Sequence, residues 1–173
     1  RPLSEGYHMA DRLNRKEYQQ TLPGKRISAG CLLFDEAGRL LIVKPIYKEG
    51  WEIPGGTVMA NESPLAGCVR EVNEELGLTR RPLRLLIVDF ADETKDRTES
   101  LSFIFDGGVL PAAEIVAIRL PPKELGEYRV LPPEQAIALL NRRLARRVRR
   151  ALGARVSGTV LYLEEEKSPW ASE

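Results

Sequence analysis

The sequence predicts an α/β fold in a single domain, and three observations lead to this prediction. The chain has 173 residues, of which 43% are hydrophobic, and a chain of this size buries about 70% of the surface that it exposes when unfolded. Strand-like apolar runs alternate with helix-like segments. One helix-like segment, residues 64–76, has an apolar face and an acidic face. We divide the chain into an arm at 1–25, the domain at 26–163 and a polar tail at 164–173.

The arm is polar. His8-Met9 looks like the junction of an expression vector with a natural start at Met9, so we treat the first eight residues as a tag remnant. Residues 10–24 have few apolar anchors, which are Tyr18 and Leu22. They predict a short arm or helix.

Two strands joined by a turn follow the arm. Residues 26–34 form an apolar run, Asp-Glu-Ala-Gly at 35–38 is typical of a turn, and residues 39–44 form the partner strand of a hairpin. A short strand at 51–53 then leads to Pro54-Gly55-Gly56. These glycines allow a backbone to approach an ion or a phosphate, although a plain tight turn explains them equally well.

The helix that follows has clear ends and two faces. Ser63-Pro64 favours a helix start and Gly77 a helix stop. One face carries Leu65, Val69, Val72 and Leu76, and another carries Glu71, Glu74 and Glu75. Carboxylates at i, i+3 and i+4 repel one another by some tenths of a kcal/mol for each close pair. A hard divalent cation would reverse that sign, and a solvated acidic face is the alternative interpretation.

The spacing of this segment is specific enough to resemble a known family. Its matching positions are Gly56, Glu62, Arg70-Glu71-Val72, Glu74-Glu75 and Gly77-Leu78. Together they resemble a complete Nudix box, the signature of hydrolases that act on nucleoside diphosphates linked to another group. The run Trp51 to Gly56 is similar to the strand that leads into that box. The resemblance covers roughly residues 27 to 140.

The resemblance implies a fold, a metal site and an activity. The fold would be an α/β/α sandwich with a central mixed β-sheet. Mg²⁺, with Mn²⁺ as the alternative ion, would be bound by Glu71, Glu74, Glu75 and the carbonyl of Gly55. Arg70 would hold a glutamate in place, through an i, i+4 pair with Glu74. Glu62 would be a supporting residue.

A further carboxylate should act as general base, since in this family the base can lie in a later loop. We take Glu114 as the first candidate, followed by Glu124 and Glu127. Substrate contacts are expected upstream of the box, at Arg26, Lys44, Trp51 and Glu52. Trp51, Tyr47 or Phe90 could stack on a base, although each fits a protein core equally well.

The second half of the chain predicts further strands and one long helix. We expect strands at 83–90, 100–105 and 114–120, a helix at about 133–152 and a last strand at 156–163 that extends the sheet or pairs with a second subunit. The polar side of the helix carries Arg142, Arg143, Arg146, Arg147, Arg149 and Arg150. This side is either a solvated face that complements the helix dipole or a path for polyphosphate or RNA.

Composition excludes several classes of function. The net charge is +1, so no global attraction to nucleic acid or membrane is expected. The single histidine, His8, argues against a Cys/His metal site. Cys31 and Cys68 are typical of small buried side chains rather than a disulfide. No apolar window is long enough to span a membrane, so we expect a cytoplasmic protein.

The predicted activity is Mg²⁺-dependent hydrolysis of a pyrophosphate bond in a nucleotide. Secondary markers in this family lie about 15 to 18 residues after the box, a proline in many ADP-ribose hydrolases and a tyrosine in many dinucleoside-polyphosphate hydrolases. Residues 92–96 contain neither, which favours nucleoside triphosphates or a broad range. The alternatives are an RNA 5′-end pyrophosphohydrolase and a non-catalytic nucleotide-sensing domain. Intact glutamates argue against the latter.

Overall fold

The computed structural model describes residues 14–170, which form a seven-stranded mixed sheet with helices on both faces. The strands are β1 (Arg26–Asp35), β2 (Leu40–Pro45), β3 (Gly55–Thr57), β4 (Arg84–Ala91), β5 (Ser100–Leu110), β6 (Leu125–Leu131) and β7 (Leu161–Glu164). The helices are α1 (Arg15–Thr21), α2 (Pro64–Leu76), α3 (Ala112–Ala117), α4 (Pro133–Leu139) and α5 (Arg142–Ser157).

The sheet separates two hydrophobic cores. Its strand order is β6-β2-β1-β5-β4-β7, with β3 paired to β1, and β1 is parallel to β5 but antiparallel to β2 and β3. Successive side chains of a strand point to opposite faces. Leu32 therefore packs in the core with Val148 of α5, while Leu33 packs in the core with Val72 of α2. This arrangement confirms the predicted α/β/α sandwich with a mixed sheet.

The hairpin and the box helix agree with the sequence. The Asp35 carboxylate accepts hydrogen bonds from the N–H groups of Ala37 and Arg39 at the turn, and β4 and β5 form where strands were predicted. Helix α2 begins after Ser63, whose side chain accepts the Ala66 N–H, and it ends at Gly77 with φ +70°. The predicted start and stop are therefore confirmed.

The predicted strand at 114–120 is wrong. Residues Ala112–Ala117 form the short helix α3 after Pro111, and the next strand is β6, which pairs antiparallel with β2. Ile115 packs against the α2 core. The β-branched pair Ile115-Val116 favours a strand, but the proline and two alanines before it favour a helix start.

The predicted helix at 133–152 is two helices, and the last strand is shorter than expected. Leu140 is extended and bridges to Trp51, and Asn141 then caps α5 by accepting the Leu144 N–H. Helix α5 continues to Ser157, where Gly158 ends it with φ +72°. Strand β7 pairs parallel with β4, so it extends the sheet.

Three smaller predictions concern the loops, the arm and the cysteines. Residues 51 and 52 make only isolated bridges, and the strand beside the box is β3. In the arm, α1 is exposed, and the predicted tag junction lies outside the described residues. Cys31 and Cys68 are buried and free, as predicted.

No helix among residues 14–170 is long and apolar enough to cross a membrane.

Candidate active site

A cleft of about 560 Å³ crosses the sheet at the first residues of β1 and β5. Ser28 and Ser102 form part of its floor, and their hydroxyl oxygens lie 2.9 Å apart. Glu71 and Glu75 of α2 line one side, together with the backbone of β3. Residues of the first turns of α5 line another side. The cleft thus has carboxylates on one wall and, as described below, arginines on another.

Arg70 organises the acidic wall. Its Nε donates to Glu62 Oε1 at 2.8 Å, and one terminal nitrogen donates to both Glu71 and Glu74 at 2.8 Å. The other terminal nitrogen donates to the Thr57 carbonyl and to Glu62. The hydrogen bonds from Arg70 lower the pKa of Glu62 to about 2, helped by the Met59 N–H. The predicted Arg70–Glu74 pair is present, and the supporting role of Glu62 is to hold Arg70.

Glu75 is the most perturbed carboxyl group of the site. Burial, followed by the charges of Glu71, Glu52 and Glu124, raises its pKa to about 8, although a hydrogen bond from the Gly55 N–H acts in the opposite direction. That hydrogen bond measures 2.9 Å. Burial also raises the pKa of Glu71. Several carboxylates therefore lie close together in a poorly hydrated environment, which a positive charge would stabilise.

The glycines of the box allow α2 to approach the backbone. Gly55 has φ +146°, and a Cβ atom there would collide with the Ala29 carbonyl. A Cβ atom at Gly56 would lie 2.5 Å from Glu71 Oε1. Only glycine fits at position 55, because the backbone of β1 occupies the space that a side chain would need, whereas a side chain at position 56 would displace the Glu71 carboxylate.

The chemistry of this donor set fits a hard divalent cation. All of its side-chain donors are carboxylate oxygens, which Mg²⁺ and Mn²⁺ prefer. Among the residues that the structure describes, no three Asp, Glu, His or Cys side chains converge at ligand distance. Glu71 and Glu74 instead bond to Arg70, and Glu75 bonds to Gly55 through the N–H of that residue.

Comparison with known proteins agrees with this geometry. A family model described as the NUDIX domain matches residues 24–152. The chain belongs to the Nudix family. An RNA pyrophosphohydrolase of Pseudomonas aeruginosa (strain LESB58) is 38% identical over 63 residues, which is 36% of this chain and 40% of that protein. An RNA pyrophosphohydrolase of Pseudomonas fluorescens (strain SBW25) is 35% identical over the same share of each chain. The match thus spans less than half the length of these curated relatives.

Solved structures share the Nudix fold. A MutT protein from Methanosarcina mazei Go1 superimposes with a TM-score of 0.63 at 24% identity, over 80% of this chain and 99% of that one. An Ap4A hydrolase of C. elegans superimposes with a TM-score of 0.59 at 20% identity, over 77% of this chain and 98% of that one. These likenesses confirm the fold class.

The predicted site residues of this Nudix domain fall into three groups. Arg26, Glu52, Gly55, Glu71 and Glu75 line the cleft, and Arg70 and Glu74 lie beside it in the Arg70 network. Lys44 and Trp51 do not line it. Trp51 is 7% exposed in the α5 core, with the Arg129 guanidinium 4.6 Å and Lys44 Nζ 5.9 Å from its ring centre.

Glu114 also lies away from the cleft. It is on α3, where its carboxylate pairs with Arg80 Nε at 3.0 Å. Glu124, the second candidate for the base, lines the cleft, and its charge contributes to the raised pKa of Glu71 and Glu75. The structure therefore favours Glu124 over Glu114 by position.

Sequence reasoning did not name Lys48, Met59 and Arg97, which also line the cleft. Arg143 and Arg147 line it as well, and the sequence had left their helix face open between a solvated surface and a path for polyphosphate or RNA. Tyr47, which we had grouped with Trp51 and Phe90, is 70% exposed and lines the cleft, whereas the other two do not. Arg143 and Arg147 are spaced i, i+4, so they share a helix face. That spacing could have indicated that these two arginines face the same site, but six of the nine residues from 142 to 150 are arginines, so the pair does not stand out in the sequence.

Proposed function

We propose that this Nudix domain hydrolyses a pyrophosphate bond of a nucleotide in a reaction that depends on Mg²⁺. The observation that carries the proposal is the acidic wall, where Glu71 and Glu75 face the cleft beside a glycine backbone and Arg70 holds Glu71 and Glu74. Clustered carboxylates in a half-buried site cost stability. A bound cation that contacts a phosphate explains why they are there.

The residues of the acidic wall either bind the metal ion or orient the residues that bind it. Glu71, Glu74 and Glu75 would hold Mg²⁺, which when bound supplies positive charge to a diphosphate and acidifies a water. Arg70 orients Glu71 and Glu74 through its planar fork. Glu62 keeps Arg70 in place. The Gly55 N–H orients Glu75.

Glu124 is the general base in this proposal. It lines the cleft close enough to Glu71 and Glu75 to raise their pKa values. A carboxylate at that position can take a proton from the water that attacks phosphorus. Glu114, by contrast, is held by Arg80 outside the cleft.

The substrate class that we propose is a nucleoside triphosphate or a broad range of nucleotides, with a base stacked on Tyr47. Tyr47 is exposed at the cleft, and Lys48 Nζ lies 5.4 Å from its ring centre. A second candidate substrate is the 5′ end of RNA. The observation that favours it is the match to the RNA pyrophosphohydrolases of Pseudomonas.

A substrate panel tests this proposal. Release of phosphate and pyrophosphate would be measured with nucleoside triphosphates, ADP-ribose, dinucleoside polyphosphates and 5′-triphosphate RNA, in Mg²⁺, in Mn²⁺ and in EDTA. We expect hydrolysis of at least one of them in Mg²⁺ and its loss in EDTA. Folded protein that hydrolyses none, or that is unaffected by EDTA, would contradict the proposal.

A matched pair of variants tests the choice of base. Glu124→Gln should lower kcat on the order of 10²- to 10⁴-fold, whereas Glu114→Gln should leave it within about threefold once values are normalised to folded protein. The reverse result would return the role of base to Glu114.

A further inference from the structure

The floor of the cleft is a row of polar residues that crosses four strands. Thr57 of β3 is in register with Ser28 of β1, Ser28 with Ser102 of β5, and Ser102 with Asp89 of β4. Residues in register place their side chains on the same face of a sheet. The row spans three strand spacings, about 14 Å, from the glycines of the box to β4.

The two ends of this row lie beside different charged side chains. At the β3 end, Glu75 bonds to the Gly55 N–H. At the β4 end, Asp89 is fully buried and accepts a hydrogen bond from Arg147 Nε at 2.6 Å. Arg143, one helical turn before Arg147, also lines the cleft. The floor therefore runs from the acidic wall to a pair of guanidinium groups.

Both guanidinium groups are held by carboxylates and still have donors to offer. Arg143 donates through Nε to Glu166 and through one terminal nitrogen to Glu165, both at 2.6 Å. Arg147 bonds to Asp89 through Nε, and no described residue accepts a hydrogen bond from its two terminal nitrogens. Neither nitrogen is buried without a partner. Each therefore keeps some solvent-accessible surface, on a side chain that lines the cleft and is oriented by Asp89.

A third arginine adds charge that is not neutralised. Arg97, in the connection from β4 to β5, is exposed and lines the same cleft. Its side chain has no ion pair with the described part of the chain. Arg143 and Arg147 contact three carboxylates, and Arg146 lies 3.7 Å from one of them, Glu166. With Arg97, four arginines therefore face three carboxylates, a net charge of +1. Oriented guanidinium groups with this excess of positive charge are suited to bind a phosphate, whose oxygens accept the fork of an arginine.

We propose that Arg143, Arg147 and Arg97 form an anion subsite for a phosphate group of the substrate that is remote from the bond to be cleaved. This inference rests on the proposed function, because it places the scissile diphosphate at the acidic wall. Neighbouring phosphates of one polyphosphate chain are separated by a single bridging oxygen, a distance much shorter than the three strand spacings from β3 to β4. A phosphate next to the scissile bond therefore cannot reach the β4 end of the floor. The remote phosphate belongs either to an internucleotide linkage or to a ribose hydroxyl at the far end of a small nucleotide.

Three matched nucleotides test the subsite. They are ATP, which has no remote phosphate, adenosine 3′-phosphate 5′-triphosphate, and a 5′-triphosphorylated adenosine dinucleotide. The variant is the double substitution Arg147→Gln with Asp89→Asn, which removes both charges of a buried pair and avoids leaving one of them unpaired. Arg142→Gln is the control, since Arg142 is exposed on the same helix and does not line the cleft.

We expect the double variant to raise KM about 10- to 100-fold for at least one nucleotide with a remote phosphate. KM for ATP and all values of kcat should stay within about twofold, and Arg142→Gln should change nothing. An effect on the dinucleotide alone identifies an internucleotide phosphate, and an effect on the 3′-phosphate alone identifies a ribose phosphate. Equal changes for all three nucleotides, or no change for any, would overturn the subsite.

Binding in EDTA separates this inference from the proposed function. Calorimetry should show that the wild type binds a remote-phosphate nucleotide at least about tenfold more tightly than ATP, and that the double variant loses this difference. If the difference persists in a protein that hydrolyses nothing, the subsite stands and the proposed function fails. If hydrolysis proceeds and the difference is absent, the subsite is overturned and the proposed function stands.

Discussion

Helices α2 and α5 lie on opposite faces of one sheet, and each concentrates charge of a single sign. On α2, Glu71 and Glu74 share one cation, Arg70, whereas Glu75 accepts a hydrogen bond from the Gly55 N–H. Burial raises the pKa of Glu71 and Glu75. On α5 the arginines meet buried partners of their own. Arg147 pairs with Asp89, Arg143 with Glu166 and Arg155 with Asp106, and Arg143 also pairs with Glu165, which is half exposed.

The difference lies in how the charges are compensated, because the α5 arginines pair with acids from other elements of the fold, whereas Glu71, Glu74 and Glu75 crowd one face of α2 with a single arginine beside them. Carboxylates that repel one another destabilise the fold, so their presence on α2 requires a functional reason. When an arginine pairs with a buried acid, removal of either partner destabilises the fold, because the other charge is left buried and unpaired. Substitution of the α2 carboxylates should therefore reduce activity more than stability, whereas removal of the buried acid from an α5 pair should reduce stability.

The largest loss of stability is expected when a charge is introduced on the apolar face of α2. Val72 is fully buried against Cys68 and Leu33 in the α2 core. Val72→Asp should cost about 4 kcal/mol or more, because the new carboxylate has no partner. Urea unfolding followed by circular dichroism would measure this loss. Wild-type stability would mean that the two faces of α2 have been assigned in reverse.

Asp89→Ala should be nearly as damaging to stability. The substitution leaves Arg147 Nε and the Glu166 N–H without the acceptor that they share. Breaking a buried pair in this way costs about 3–5 kcal/mol. The control, Asp89→Asn, retains an oxygen for the Glu166 N–H and should cost less. If both variants unfold at the wild-type urea concentration, the α5 pairs do not stabilise the fold.

Arg70→Lys should reduce activity with little change in stability. Lysine keeps the charge, but it cannot contact Glu62, Glu71 and Glu74 at the same time as the planar guanidinium does. We expect about a 10- to 100-fold loss in kcat or in affinity for Mg²⁺, measured by titrating Mg²⁺ against the rate. An unchanged titration would show that Arg70 does not orient the carboxylates.

The smallest effect should come from Arg150→Gln. Arg150 is exposed on α5, and no described residue forms an ion pair with it. Its replacement should change the free energy of unfolding by less than about 0.5 kcal/mol and leave kcat as it is. A larger effect in either quantity would show that the exposed arginines of α5 also have a role.

The sequence predicted the fold best where the local signal and the packing agree. Ser63, Pro64 and Gly77 set the ends of α2, and alternation along β1 sent Leu32 and Leu33 to different cores. The signal failed at 114–120, where β-branched residues lie in a short helix. It also failed at Leu140, where a bridge to Trp51 interrupts an otherwise helical run.

The sequence grouped the residues of the acidic wall, but it left the arginine face open between a solvated surface and a path for polyphosphate or RNA. The spacing of the box grouped Glu71, Glu75 and Arg70, because those residues lie within one helix. Arg147 lines the cleft because Asp89, 58 positions earlier in the chain, binds it. Contacts at that separation leave no local pattern. The same limit explains why Glu114 and Trp51 were expected at the site.

Glu75→Gln tests most directly the claim that the α2 carboxylates contribute to activity and do not stabilise the fold. Glutamine retains the volume and an oxygen for the Gly55 N–H, but it cannot ionise to bind a cation. With Mg²⁺ present, kcat should fall on the order of 10²- to 10⁴-fold, while the free energy of unfolding, measured on the same protein, should not fall below that of the wild type. A kcat within threefold of the wild type would contradict the account, and so would a loss of activity that only follows a loss of folding.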